Sequence, residues 1–392
     1  MRLTDALKGY FWPVLVCCGV AMNAVCAGGV YAFPLIAPSL VEHLKLSQPQ
    51  LTSISLAGMI SQYPVAAIVG LAIDNLGTWS CSLAASVMFA IGYGVFAREV
   101  AAVPPGTHAS AQTVNTLIFC WALIGLATVC TGFALVFSAT KAFYKYIGVA
   151  VGLSQAAFGM SPLLLSLIAS HFTPSGETLD LPSYFTFLAL FAGIANLTSC
   201  VLFRGAQNAG TIPMGSSKVA PTRSDGEPLL LGLALWMTFV VGSSEMVFSN
   251  LGSVVLSLPS ASRRRFDDRQ RRARRPLLAL ANTLSRLAVG PLADAVAPVA
   301  TQARTARGRL AARGRHRGAY GTTFTLIPGI MSSIGAAQPR RNYGILSYTA
   351  FVGTSIFSFI TQPSPTATFS RRRRLQGRRL LECDGKVWKD RV

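Results

Sequence analysis

Six stretches of this chain, each 18 residues or longer, contain no Asp, Glu, Lys or Arg: Tyr10 to Ile36, Leu51 to Ile73, Trp79 to Phe96, Val114 to Ser138, Ile147 to Ile168 and Tyr184 to Phe203. A seventh, Leu229 to Leu258, holds a single charge, Glu245. Across the hydrocarbon of a bilayer a backbone must satisfy its own polar groups, and a helix of about 20 predominantly apolar residues is long enough to do so. The runs therefore predict an all-α polytopic membrane protein. Composition agrees: with 51% hydrophobic and 13% charged residues, a chain of this length cannot cover itself with an ordinary water-facing surface.

The runs also repeat. Gly70 and Asp74, where the second run gives way to a short polar turn, recur as Gly290 and Asp294, 220 residues further on. The first run opens at Tyr10 and the seventh at Leu229, so each Gly/Asp pair lies equally deep in its half. Such spacing predicts a bundle built by duplication. The division expected is an N-terminal six-helix bundle over 1–203, a cytosolic linker rich in Gly, Ser, Pro and Thr over 204–228, a C-terminal bundle over 229–362 and a basic polar tail over 363–392.

The net charge of +20 suggests a grip on nucleic acid, but its placement argues otherwise. Residues 1–258 carry nine basic and nine acidic side chains, whereas residues 259–392 carry 26 basic and six acidic ones, so the second part holds the whole excess. Only two of those 26 are lysine. Arginine-rich stretches at 259–275 and 295–318 interrupt the second half. Pro276 to Ala293, Ala319 to Ala337 and Tyr343 to Ile360 read as helices eight, ten and eleven, giving about ten recognisable spans. The position of helix nine is filled by arginines, each unfavourable by about 2.5 to 3.5 kcal/mol at a helix centre. One explanation is that these stretches and the tail come from a shifted reading frame, which would make the chain an inactive remnant of a longer bundle. The other is a set of real basic loops.

Local signals place the ends of the helices. Ser47, with Gln50 three residues on, forms a capping box, so the second helix is expected to start at Gln48. With helices alternating in direction, the side carrying the N-terminus and Asp74 holds Arg2, Lys8, Lys141, Lys145, Arg204, Lys218 and Arg223, against Lys45 and Arg98 opposite. The positive-inside rule makes that side cytosolic. Seven of the eight cysteines fall in apolar runs and read as small packed hydrophobes, and the four histidines are scattered, as solvated loop residues would be.

In this order and spacing, the residues resemble the major facilitator superfamily, and within it the nodulin-like and monocarboxylate-transporter-homologue branch. The features that carry the likeness are the Gly70/Asp74 and Gly290/Asp294 turns, Tyr31-Ala32-Phe33, Leu46-Ser47-Gln48-Pro49-Gln50-Leu51, Gly242 to Gly252, Ala319 to Pro328, and Asn342-Tyr343-Gly344. The resemblance implies a fold of two six-helix bundles, here with the second incomplete. It also implies a secondary transporter moving a small organic solute, with a monocarboxylate and proton coupling as the finer expectations.

Glu245, isolated within a span, is the first candidate for solute or proton coupling, because a carboxylate in hydrocarbon must pair, face a cavity or take a proton. Asn250, Asn23, Tyr31 and Gln155 are further candidates, from helices that line the cavity in the resembled family. Gly70, Asp74, Gly290 and Asp294 are read as gating turns, in which a carboxylate can accept bonds from the amides at the start of a neighbouring helix. No nucleophile, phosphate-loop or paired-carboxylate motif points to an enzyme. No cofactor or metal is expected; the partners expected are a small-molecule solute and the lipid bilayer, without nucleic acid, for a monomer in a plasma or vacuolar-type membrane. A basic membrane-anchored binding protein is the competing class.

Overall fold

The computed structural model describes residues 2–173, 179–212, 231–243, 326–327 and 339–361. Among them every element is helical: α1 Arg2–Ala27, a 3-10 turn Gly29–Ala32, α2 Phe33–Leu44, α3 Gln48–Ile60, α4 Ala66–Asn75, α5 Thr78–Ala102, α6 Ala111–Ala142, α7 Ile147–Ala169, α8 Leu181–Asn208, α9 Leu231–Ser243 and α10 Pro339–Thr361. Five segments are long and apolar enough to cross a membrane: Phe11–Leu44, Thr78–Ala102, Ala111–Ala142, Ile147–Phe172 and Leu181–Asn208.

The first two apolar runs fold as broken rather than continuous helices, and proline explains both breaks. Pro34 stands at the start of α2, where its missing N–H removes a bond to Val30, and the chain before it tightens into the 3-10 turn, with the Tyr31 amide on the Gly28 carbonyl at 3.1 Å. Helix one thus extends past Ile36 to Leu44, eight residues beyond its apolar run. Pro64 likewise cannot bond to Ile60, the last residue of α3, and five turn residues separate α3 from α4. The start of α3 at Gln48 agrees with the sequence expectation, and the Ser47 amide donates to Gln50 Oε1 at 2.9 Å. Arg204–Asn208, read from composition as the start of the linker, belongs instead to the end of α8, with the Arg204 guanidinium over the Trp79 ring at 4.8 Å.

Helices α1, α5, α6 and α8 pack as the centre of the N-terminal bundle. Phe89, Tyr93, Phe96, Trp121 and Phe185 fill it with interlocked rings, the Phe96 and Phe185 centroids 4.3 Å apart. Polar bonds tie the same helices: Asn23 Nδ2 to Ser82 Oγ at 2.9 Å, Thr131 Oγ1 to Asn196 Oδ1 at 2.8 Å, Ser86 Oγ to the Gly193 carbonyl at 2.7 Å and Ser199 Oγ to the Gly19 carbonyl at 2.9 Å. In lipid, helices gain little from burying apolar area against one another, so close packing and bonds of this kind, about 0.6 kcal/mol each on average, carry the association. The outward faces expose Val87, Ile91, Phe119, Leu190, Ile194 and Val201, a lipid-facing belt. The chain is an integral, multi-pass membrane protein. Cys17 and Cys18 are exposed, whereas Cys26, Cys81, Cys120, Cys130 and Cys200 are buried. His43 departs from the expected solvated loop: its Nε2 lies 3.1 and 3.0 Å from the Val100 and Val103 carbonyls at the end of α5.

Candidate functional site

Helices α4 and α10, from opposite halves of the sequence, pack along their length. Their backbones approach closely because glycine faces each contact. A Cβ on Gly70 would fall on the Arg340 carbonyl, and one on Gly344 would fall on the Ala66 carbonyl. Tyr348 donates its hydroxyl to the Pro64 carbonyl at 2.8 Å, and the Tyr63 and Phe351 rings lie 5.5 Å apart.

At the end of this contact Asp74 and Arg340 form an ion pair, Nη1 to Oδ1 at 2.5 Å, with 5% and 9% of their side chains exposed. The second carboxylate oxygen accepts from the Arg341 amide at 3.3 Å, one of the first amides of α10, which have no partner inside their own helix. Asp74 therefore caps α10 across the interface, and its charge suits the positive end of that helix. The guanidinium also lies over the Phe137 ring, 5.7 Å from its centroid.

Lys141, in the last turn of α6, stands close enough to interact electrostatically with both Arg340 and Asp74. It is buried, and its Nζ has no hydrogen-bond partner among the described residues; the same holds for Arg340 Nε and, one turn before Lys141, for Ser138 Oγ. One carboxylate thus faces two basic side chains in a buried site. Such a cluster depends strongly on its single negative charge.

Behind the pair lies a cavity of about 110 Å³. The described residues that line it come from both halves: Tyr31 before α2, Gln62 and Tyr63 in the α3–α4 break, Thr128 and Phe133 on α6, Gln155 and Phe158 on α7, Met237 on α9, and Tyr343 and Ser347 on α10. Tyr31 donates its hydroxyl to Gln62 Oε1 at 3.2 Å, and its ring meets Phe158 edge-on at 6.0 Å. The Tyr343 ring, which lines the cavity, contacts Phe133 and Phe137 at 5.2 and 5.8 Å, and Phe137 in turn carries the Arg340 guanidinium.

Of the residues singled out from sequence, Tyr31 and Gln155 meet at the cavity, and Gly70 and Asp74 at the α4–α10 contact. Asn23 is placed elsewhere, buried between α1 and α5 on Ser82 and not among the residues lining the cavity. Glu245, Asn250, Gly290, Asp294 and the arginine-rich stretches 259–275, 295–318 and 363–392 lie outside the described residues. Sequence reasoning missed Arg340 and Arg341, which precede the apolar run beginning at Tyr343. A signal was present: two arginines after Pro339, at the head of a helix whose entry falls on the side that bears Asp74.

An all-α bundle with a largely apolar cavity between its halves fits the major facilitator architecture. The chain superposes on the proton:xylose symporter XylE, a member of that superfamily solved with 6-bromo-6-deoxy-D-glucose, with a TM-score of 0.61 over 90% of each chain at 11% identity. The chain belongs to the nodulin-like family, whose model matches residues 11–261. It is 25% identical over 340 residues to the probable transporter MCH1 of Gibberella zeae, covering 70% of this chain and 59% of that one. With the Candida albicans probable transporter MCH1 it shares 24% over 375 residues, 86% and 81% of the two chains. Against the Emericella nidulans relative the shares are 46% and 30%, at 27% identity. The chain thus spans about three fifths or less of the first of these relatives.

Proposed function

We propose that this chain is a secondary transporter that moves a small solute by alternating access, with the Asp74 end on the cytosolic side. The observation that carries the reading is the cavity shared by both halves and closed toward Asp74 by the α4–α10 contact. In this conformation Asp74, Arg340 and the Arg341 amide act as a latch on the cytosolic side. Release of the latch lets α4 and α10 part and opens the cavity inward, as rigid halves rock about a fixed site. Gly290 and Asp294 are proposed to serve as the matching turn of the second half, and Glu245 and Asn250 to contribute to coupling or solute contact.

The family's members named as probable transporters, and the fold neighbour named as a proton:xylose symporter, favour transport over a basic binding protein or an inactive remnant. A monomer without nucleic acid, divided into bundles over 1–203 and 229–362, fits the same reading. The test is uptake by vesicles reconstituted with the purified full chain, using radiolabelled D-glucose, myo-inositol and L-lactate. Saturable uptake of at least one, changed by Asp74→Asn, is expected. Uptake no greater than in protein-free vesicles for every solute sinks the proposal.

A further inference from the structure

The guanidinium that closes the latch is held from two sides. Among the described residues the Arg340 side chain makes one hydrogen bond, Nη1 to Asp74, and its Nε makes none. The other support is a ring face: Cζ of Arg340 lies 5.7 Å from the centroid of Phe137, within reach of a cation–π contact. Both side chains are buried, and a ring attracts a cation most strongly where water is excluded.

Phe137 is itself held by other rings. It meets Phe133, one turn back along α6, edge-on at 5.6 Å and Tyr343 of α10 edge-on at 5.8 Å, while those two rings lie 5.2 Å apart. All three spacings fall in the range of favourable ring pairs, and all three rings are buried. Phe133 and Tyr343 line the cavity, whereas Phe137 does not belong to its described lining. Two rings of the triangle thus form cavity wall, and the third lies beneath the latch arginine. Rigid rings packed this closely have no slack to absorb a shift, so a displacement of Phe133 or Tyr343 from the cavity side moves Phe137.

We infer that Phe137 is the positioning residue of the latch arginine, and that through Phe133 and Tyr343 it makes the latch respond to the cavity wall. The inference deepens the transport reading and rests on it for what opening serves. Coupling between two places needs an element with two arrangements that both can bias, and the latch, shut or parted, is that element. A solute leaning on either lining ring acts on the platform under Arg340 without touching the ion pair.

The test reads the latch with no solute present, so a purified full chain that transports nothing still decides it. Ser347→Cys, in a background without the native cysteines, is labelled by a membrane-impermeant maleimide from the Asp74 side. Phe137→Leu should label about tenfold faster than its parent, the effect of losing one buried cation–π contact. Replacing Phe137 by its mono-, di- and trifluoro forms keeps the ring's shape while drawing negative charge from its face, so the rate should climb with each fluorine. The same series at Phe133 should leave the rate flat. Phe133→Leu should quicken labelling about threefold in the parent and not at all in Phe137→Leu, because its effect passes through that ring. Thermal melting establishes that each variant is folded, and Phe137→Met takes the place of Phe137→Leu if the latter is not. A rate indifferent to fluorination at Phe137 overturns the positioning role. An equal gain from Phe133→Leu with and without the Phe137 ring overturns the link to the cavity.

Discussion

Replacing Asp74 by asparagine would remove one charge from the latch and almost nothing else. The asparagine Oδ1 can still accept from the Arg341 amide, so the helix cap survives while the attraction to Arg340 is lost. Arg340 and Lys141 would then face each other, buried, with no negative charge between them. Breaking a buried ion pair from one side costs about 3 to 5 kcal/mol. The latch lies at the end of the bundle, where water enters on opening, so the lower figure applies. At about 1.4 kcal/mol per tenfold, the latched population relative to the open one falls about a hundredfold. Ser347→Cys, in a background without the native cysteines, reports on this directly, since Ser347 lines the cavity behind the latch. A membrane-impermeant maleimide applied from the Asp74 side should label Asp74→Asn at least tenfold faster than its parent, up to the rate of the fully open protein. Equal labelling rates in two equally stable proteins would refute the latch argument.

Lys141→Met should act in the opposite direction, slowing the same labelling, because it removes a buried amine with no hydrogen bond among the described residues and leaves Asp74 to Arg340 alone. The Asp74→Asn, Lys141→Met double variant should then label at a rate between the two singles. Gly70→Val places a side chain against the Arg340 backbone and should speed labelling as Asp74→Asn does, without altering charge. Asn196→Ala, far from the latch, orphans the Thr131 hydroxyl between α6 and α8; it should lower stability by about 1 to 3 kcal/mol in thermal melting and leave the labelling rate unchanged.

The long helices were legible because hydropathy alone determines whether a segment can enter a bilayer, and α5 to α8 contain the apolar runs that predict them. Their ends were less so. The ends of α6 and α8 carry Lys141 and Arg204, charged residues that no window of apolarity counts toward a span, the second lying over the Trp79 ring. The breaks at Gly28 to Ala32 and at Ser61 to Val65 lie inside apolar runs, where only the prolines betray them. Tyr31 and Gln155 could be proposed from sequence as cavity residues, whereas Gln62, Thr128 and Ser347 look like ordinary helix-packing polar groups until the fold turns them to one space. The pairing of Asp74 with Arg340 spans 266 positions, and no local pattern in either segment names the other.

The break at Pro64 has a bearing on what must accompany any opening of the bundle. A continuous helix would keep its carbonyls satisfied whatever its neighbours did. Here the Pro64 carbonyl takes its proton from Tyr348, on the other half of the molecule. In the proposed opening α10 withdraws and that oxygen loses its donor, so water has to take the place of the phenol. Hydration then becomes a reactant in the proposed conformational change: the crevice wets as it widens.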